Sequence, residues 1–170
     1  HKAESTMRRK REELKNSRRK EMIGFRKIDP EVAMEKNTWF HLGRNSCEEI
    51  LYCLRRIADP CEEHVDNNFV PLSKEQVKEY IPLRDTVLFL LRRTGKILQT
   101  DSYGEVDDVR REAEELKDCL EKAREAQMQR MQSSMENITV AYLYLNLLQE
   151  TRELTSSLRH LLRASKGFRE

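Results

Sequence analysis

Glycine and proline are scarce in this 170-residue chain, at 5 and 4 residues, and aromatic side chains make up only 6%. A sheet protein needs many turns, and a phosphate-cradling loop needs clustered glycines. Gly24, Gly43, Gly95, Gly104 and Gly167 are isolated, so no such loop exists. Serine, histidine and aspartate residues are scattered without a nucleophile motif. Nothing in the sequence calls for an enzyme. Long apolar runs are missing too. The best, Ile138 to Leu148, is half the roughly 20 residues of a membrane span and contains Asn146. No secretory signal is present. The chain begins at His1 rather than Met, as a piece of a longer protein would.

What is present is charge and regularly spaced apolar residues, at 36% and 38% of the chain. That mixture in 170 residues fits one all-α, highly solvated domain. The four cysteines are Cys47, Cys53, Cys61 and Cys119. The first three share one helical stretch and sit roughly 9–12 Å apart, too far to pair with each other. Buried free thiols and a reducing compartment follow.

Charge is unevenly placed. Met7 to Lys27 holds ten basic and three acidic residues, a net of +7, against +2 for the whole chain. A basic arm therefore precedes a body of about −5. The arm reads as a solvated helix with internal ion pairs, or as a segment, residues 7–27, lying on an anionic membrane surface. Nucleic acid is not expected as a partner, because no aromatic residue interrupts the basic run and no recognition motif accompanies it.

Five helices are predicted, roughly Glu4–Arg26, Glu31–Asp66, Lys74–Gln99, Tyr103–Gln132 and Ser134–Ser165. Asp29-Pro30 reads as an N-cap with proline at the first helical position. Ser73/Gln76, Ser102/Glu105 and Ser133/Glu136 have capping-box spacing. The fourth helix has an apolar seam of Val106, Val109, Ala113, Leu116, Leu120 and Ala123. The fifth has Tyr144, Leu147, Leu148, Leu154, Leu158, Leu161 and Leu162, and the third Val77, Ile81, Leu88, Leu91 and Leu98. Short connections imply an antiparallel up-down helical bundle. Pro60 and Pro82 fall inside helical patterns and predict kinks, although Asp59-Pro60 with Glu62 could instead restart a helix. Trp39, Phe40 and His41 read as an aromatic plug at one end of the bundle.

Two polar stripes carry what chemistry there is. On the second helix, Cys47, Ile50, Leu54, Ile57, Cys61 and Val65 face one way. Glu48, Tyr52, Arg55, Asp59, Glu62 and Asp66 face the other, so Cys61 and Asp59 point apart. Cys61 and His64 have no matching second pair for a zinc site. No Glu-x-x-His occurs, so the di-iron bundle motif is absent. On the fifth helix Asn146, Glu150, Glu153, Ser157 and His160 advance by four and three, away from the leucines. Carboxylates one turn apart can hold a hard cation, or simply line a wet face.

Three stretches carry a family resemblance: "IADPCEEHVDNNFVPLSKEQVKEYIPLRD", "EELKDCLEKAREAQMQRMQ" and "AYLYLNLLQETRELTSSLRHLLRASKGF". The chain resembles the PhoU-like C-terminal domain of bacterial sodium-dependent phosphate (Na/Pi) cotransporters. The resemblance implies that residues 1–28 are a basic linker helix following a membrane domain, and that 29–170 form a PhoU-like helical bundle. It also implies a non-catalytic regulatory role at the cytoplasmic face of the cell membrane. The partner would be the protein's own transmembrane transporter domain, with a homo-oligomer admitted. A free-standing helical scaffold or oligomerisation module is the competing expectation. The family's metal-binding motif is Glu-Arg-Ile-Gly-Asp. Arg56, Ile57 and Asp59 agree with it, but Arg55 stands where the leading acid belongs. In the fifth helix Glu150 agrees and Leu154 replaces the final acid. Glu63 and Glu153 are placed to substitute. The implied remnant is a single divalent or iron-type ion at Asp59, Glu63, Glu150 and Glu153.

Overall fold

The computed structural model describes the backbone of residues 2–25 and 29–170, and the side chains of residues 5–17 and 29–170. Within them the chain is all-α. The helices are α1 (Lys2–Phe25), α2 (Pro30–Asp66), α3 (Lys74–Thr100), α4 (Val106–Ser133) and α5 (Ile138–Arg169), with a 3-10 turn at Tyr103–Glu105 before α4. The expected end of α1 at Arg26 lies outside the described residues.

Local chemistry explains most of the boundaries. Asp29 Oδ1 accepts the Glu31 amide at 3.0 Å and Pro30 opens α2. Ser73 and Gln76 close a reciprocal capping box at 2.9 and 3.1 Å. Helices α2 and α3 each end next to a residue in the left-handed region, Asn68 and Asp101, both at φ 54°. Asn and Asp tolerate that conformation best among residues with a Cβ.

Two expected caps are corrected. Ser102 bonds Thr100 Oγ1 at 2.7 Å and caps nothing, so α4 starts three residues later than Tyr103. Ser134 is extended, and Asn137, accepting the Val140 amide at 3.2 Å, starts α5 at Ile138. Helix α2 continues through Pro60 without restarting, and Asp59 pairs with Arg55 instead of capping.

The helices alternate up and down. Ion pairs Glu114–Arg159 and Asp107–Lys166 set α4 antiparallel to α5. Gln76–Gln127 and Arg93–Glu112 do the same for α3 and α4. Lys36–Phe168 and Arg56–Glu150 do so for α2 and α5. Met7 and Tyr52 line one groove, and Leu14 and Phe40 line another, so α1 runs antiparallel along α2. Spatial order differs from chain order: α2 lies chiefly against α5, not against α3. Helix α5 touches α2, α3 and α4 and is the spine of the bundle.

The core follows. The seven expected apolar residues of α5 are all buried, as are Val106, Val109, Ala113, Leu116 and Leu120 of α4. The α3 expectation holds for Leu91 and Leu98, which pack against the core, and is corrected for the other three. Val77, Ile81 and Leu88 are exposed, because α3 turns Val87, Leu90, Thr94 and Ile97 toward α4 and α5. Val65, assigned to the apolar side of α2, is 72% exposed in the last turn of that helix. Among the described residues no helix is long and apolar enough to cross a membrane.

The aromatic plug forms at the N-terminal end of α2 and the C-terminal end of α5. Phe40 packs on Phe168 at 6.4 Å, and Lys36 Nζ donates to the Phe168 carbonyl at 2.6 Å. Trp39 lies directly over Gly167: a Cβ there would meet its indole at 2.6 Å, closer than real contacts allow. At Gly43 an added Cβ would meet Ala164 at an ordinary 3.6 Å. Gly167→Ala is therefore expected to destabilise by about 1–3 kcal/mol through overpacking. Gly43→Ala is expected to stabilise by roughly 0.5–1 kcal/mol through helix entropy. Thermal melts that moved both variants the same way would contradict this packing.

Candidate functional site

The α2–α5 contact brings together the two stretches that carry the metal expectation. On α2, Glu49, Cys53 and Arg56 recur at helical spacing and face Asn146 and Glu150 of α5. Arg56 is the hub. Its guanidinium lies 2.8 Å from Glu150 Oε2 and 3.7 Å from Glu49 Oε1, and stacks 4.3 Å from the Tyr52 ring. Asn146 Nδ2 donates to the Arg56 carbonyl at 3.1 Å. The Arg56–Glu150 pair is close but poorly aligned as a hydrogen bond, and Glu150 Oε2 is fully buried without a well-directed donor.

The four candidate ligands are not assembled. Asp59 faces outward and accepts Arg55 Nε at 2.9 Å. Glu63 is exposed on α2. Glu150 is turned inward, only 7% exposed, and Glu153 accepts Gln149 Nε2 at 2.8 Å. The expectation that the α5 stripe faces water is corrected. Asn146, Glu150 and Ser157 are wholly or partly covered at the α2 contact, and only His160 of the stripe is exposed. These residues do not fit a metal ion as placed, because a guanidinium already sits between the carboxylates of Glu49 and Glu150. Among the described residues no group of three or more His, Cys, Asp or Glu side chains is placed to hold one.

Burial sets the chemistry of this face. Desolvation pushes the Glu150 carboxyl above its ordinary range; Arg56 pulls against it, while Glu153 and Glu49 add to it. Desolvation also pushes the Cys53 thiol up to about 11, so it stays protonated and unreactive. Cys47 and Cys61 are raised for the same reason, and all four cysteines are free thiols.

A second polar cluster, which no sequence pattern indicated, ties α3, α4 and α5 together through Tyr144, two residues before Asn146 on α5. Arg130 grips Glu79 through both Nη atoms at 2.7 and 3.0 Å, and Tyr144 donates to Glu79 Oε2 at 2.9 Å. Arg130 also donates to Gln127 Oε1 at 2.8 Å. Gln127, fully buried, receives Gln76 Nε2 at 3.2 Å and donates to Glu136 at 2.7 Å. Desolvation alone would raise the Glu79 carboxyl, but the bonds from Arg130 and Tyr144 outweigh it and hold it low. Burial and the adjacent Glu79 push the Tyr144 hydroxyl up, so it remains a donor.

The two carboxylates predict opposite behaviour. Glu79, held low, contributes stability above its unfolded pKa and loses it as pH falls through the folded value. Glu79→Gln should cost about 1–3 kcal/mol at neutral pH, and less in acid. Glu150, held high, contributes below its unfolded pKa and loses that as pH rises through the folded value. Glu150→Gln should therefore be at least as stable as the parent at neutral pH. Urea titrations at about pH 4 and about pH 7 check both. Equal losses for the two variants at neutral pH would contradict the assignment.

The chain matches no family model, no curated protein and no solved structure.

Proposed function

We propose that the chain is a non-catalytic helical domain that modulates a sodium-dependent phosphate transporter at the cytoplasmic face of a bacterial cell membrane. One observation carries the reading. The two stretches that resemble the Na/Pi regulatory motif, Arg55 to Asp59 and Glu150 to Leu154, lie across from each other on α2 and α5. They are joined by Arg56–Glu150 and by the bond from Asn146 to the Arg56 carbonyl. Arg55 and Arg56 supply the positive charge that an ion would otherwise bring. The domain would then work by docking rather than by loading a metal cluster, with the docked and free states shifted by a binding partner. The exposed Arg8, Arg9, Lys10 and Arg11 of α1 give a cationic flank suited to anionic lipid headgroups.

A second reading, a self-associating scaffold, is favoured by the exposed Val77, Ile81 and Leu88 on α3, with Phe89 beside them. The deciding experiment deletes residues 29–170 from the natural gene and follows sodium-driven phosphate uptake in cells. Altered uptake, or a lost response to external phosphate, is expected. Unchanged uptake, together with a dimer in light scattering that Ile81→Lys dissolves, would leave the scaffold reading in its place.

A further inference from the structure

Helix α3 carries two adjacent seams of alternating three- and four-residue steps. Tyr80, Leu83, Val87, Leu90, Thr94 and Ile97 form the inner one and are buried or half-buried against α4 and α5. One residue further on, Val77, Ile81, Leu88, Leu91 and Leu98 form the outer one, with Arg84 and Gly95 completing its steps. Leu91 and Leu98 lean on the core, but Val77, Ile81 and Leu88 are 38–40% exposed. The outer seam runs for about 32 Å of helix. Gly95 is a second, separate observation. It sits in the interior of α3, where glycine costs about 1 kcal/mol relative to alanine. A Cβ there would meet nothing within 4 Å. Nothing in the folded chain requires this glycine, whereas a second helix laid close against α3 would.

Charge and shape say which helix. Asp85 is the only acid between Tyr80 and Thr100. It accepts Arg84 Nε and Nη2 on Oδ1, at 3.0 and 2.8 Å, and its Oδ2 has no partner among the described residues. Arg92, two turns further along the same flank, is exposed and makes no ion pair among the described residues. Turning a second α3 end for end about Leu88 sets each Asp85 against Arg92 of the other copy. The same rotation sets each Ile81 over the other copy's Gly95. Acid meets base and bulky meets small, twice each, as a closed twofold contact requires. Lys78 then falls opposite Gln99, not opposite a like charge. We propose that α3 is the face of an antiparallel, twofold-symmetric homodimer, with Leu88 on the axis and Ile81 seated on Gly95 of the second copy. The proposal gives a partner and a register to the self-associating reading. It needs no transporter, so its failure and that of the uptake test are distinct.

Sedimentation equilibrium of the 170-residue protein is expected to show a reversible dimer. Gly95→Gln fills the space that Ile81 of the second copy would take. It should raise the melting temperature of the dilute monomer and weaken the dimer about tenfold, two effects of opposite sign from one substitution. Asp85→Arg and Arg92→Asp, each alone, set like charges face to face and should weaken the dimer roughly three- to tenfold. Combined, they should restore it, which a parallel pairing would not allow. Melts of each variant at high dilution confirm that the fold is kept. A chain that stays monomeric at about 1 mM, a Gly95→Gln dimer as tight as the parent's, or a double swap no tighter than its singles would overturn the proposal.

Discussion

Helix α5 packs against α2, α3 and α4 and keeps only one wet strip, through Tyr142, Gln149, His160 and Arg163, so it must settle each polar side chain that it buries. It does so in three ways. Thr151 and Thr155 turn their hydroxyls back to carbonyls one turn earlier, at 2.7 and 2.8 Å. Tyr144 and Asn146 donate outward, to Glu79 of α3 and to the Arg56 carbonyl of α2. Glu150 meets a guanidinium. Each arrangement fixes the register of a neighbour against the spine. Leucines alone would leave that register looser, since apolar contact is non-directional.

The two inward carboxylates show how context decides what a charge does. Glu79 receives three directed bonds from Arg130 and Tyr144 and is a net asset to the fold. Glu150 has a nearby cation without good alignment and is a liability in stability terms. A buried ion pair of this second kind is retained more readily for the geometry it imposes than for the energy it adds. In this fold that geometry is the juxtaposition of the two motif-like stretches, on which the transporter reading rests.

Much of the architecture was legible in the sequence. Alternating steps of three and four located the α4 seam, and Asp29-Pro30 and Ser73 with Gln76 marked two helix starts. The neighbour order was not legible, because short loops fix direction but not which helices touch. A helical wheel fixes the wet face only roughly, so it sent Glu150 and Ser157 outward, whereas the wet strip of α5 runs beside them through Tyr142, Gln149, His160 and Arg163. One signal pointed the other way: residues 138–149 carry no charge in a chain that is 36% charged. On α3 the reverse error arose. Val77, Ile81 and Leu88 satisfy the period of a core stripe, yet that period is equally met by a face that stays exposed among the described residues. The Glu79–Arg130 clasp joins residues 51 positions apart, and no local pattern encodes such a contact.

Native-state hydrogen exchange on backbone amides tests the spine most directly, since it reads local and global opening free energies along each helix. If α5 organises the bundle, the central amides of α5, around Leu147 to Leu158, exchange only through global unfolding and are the slowest in the protein. The contradicting result is an α5 that opens sub-globally while α3 and α4 remain protected.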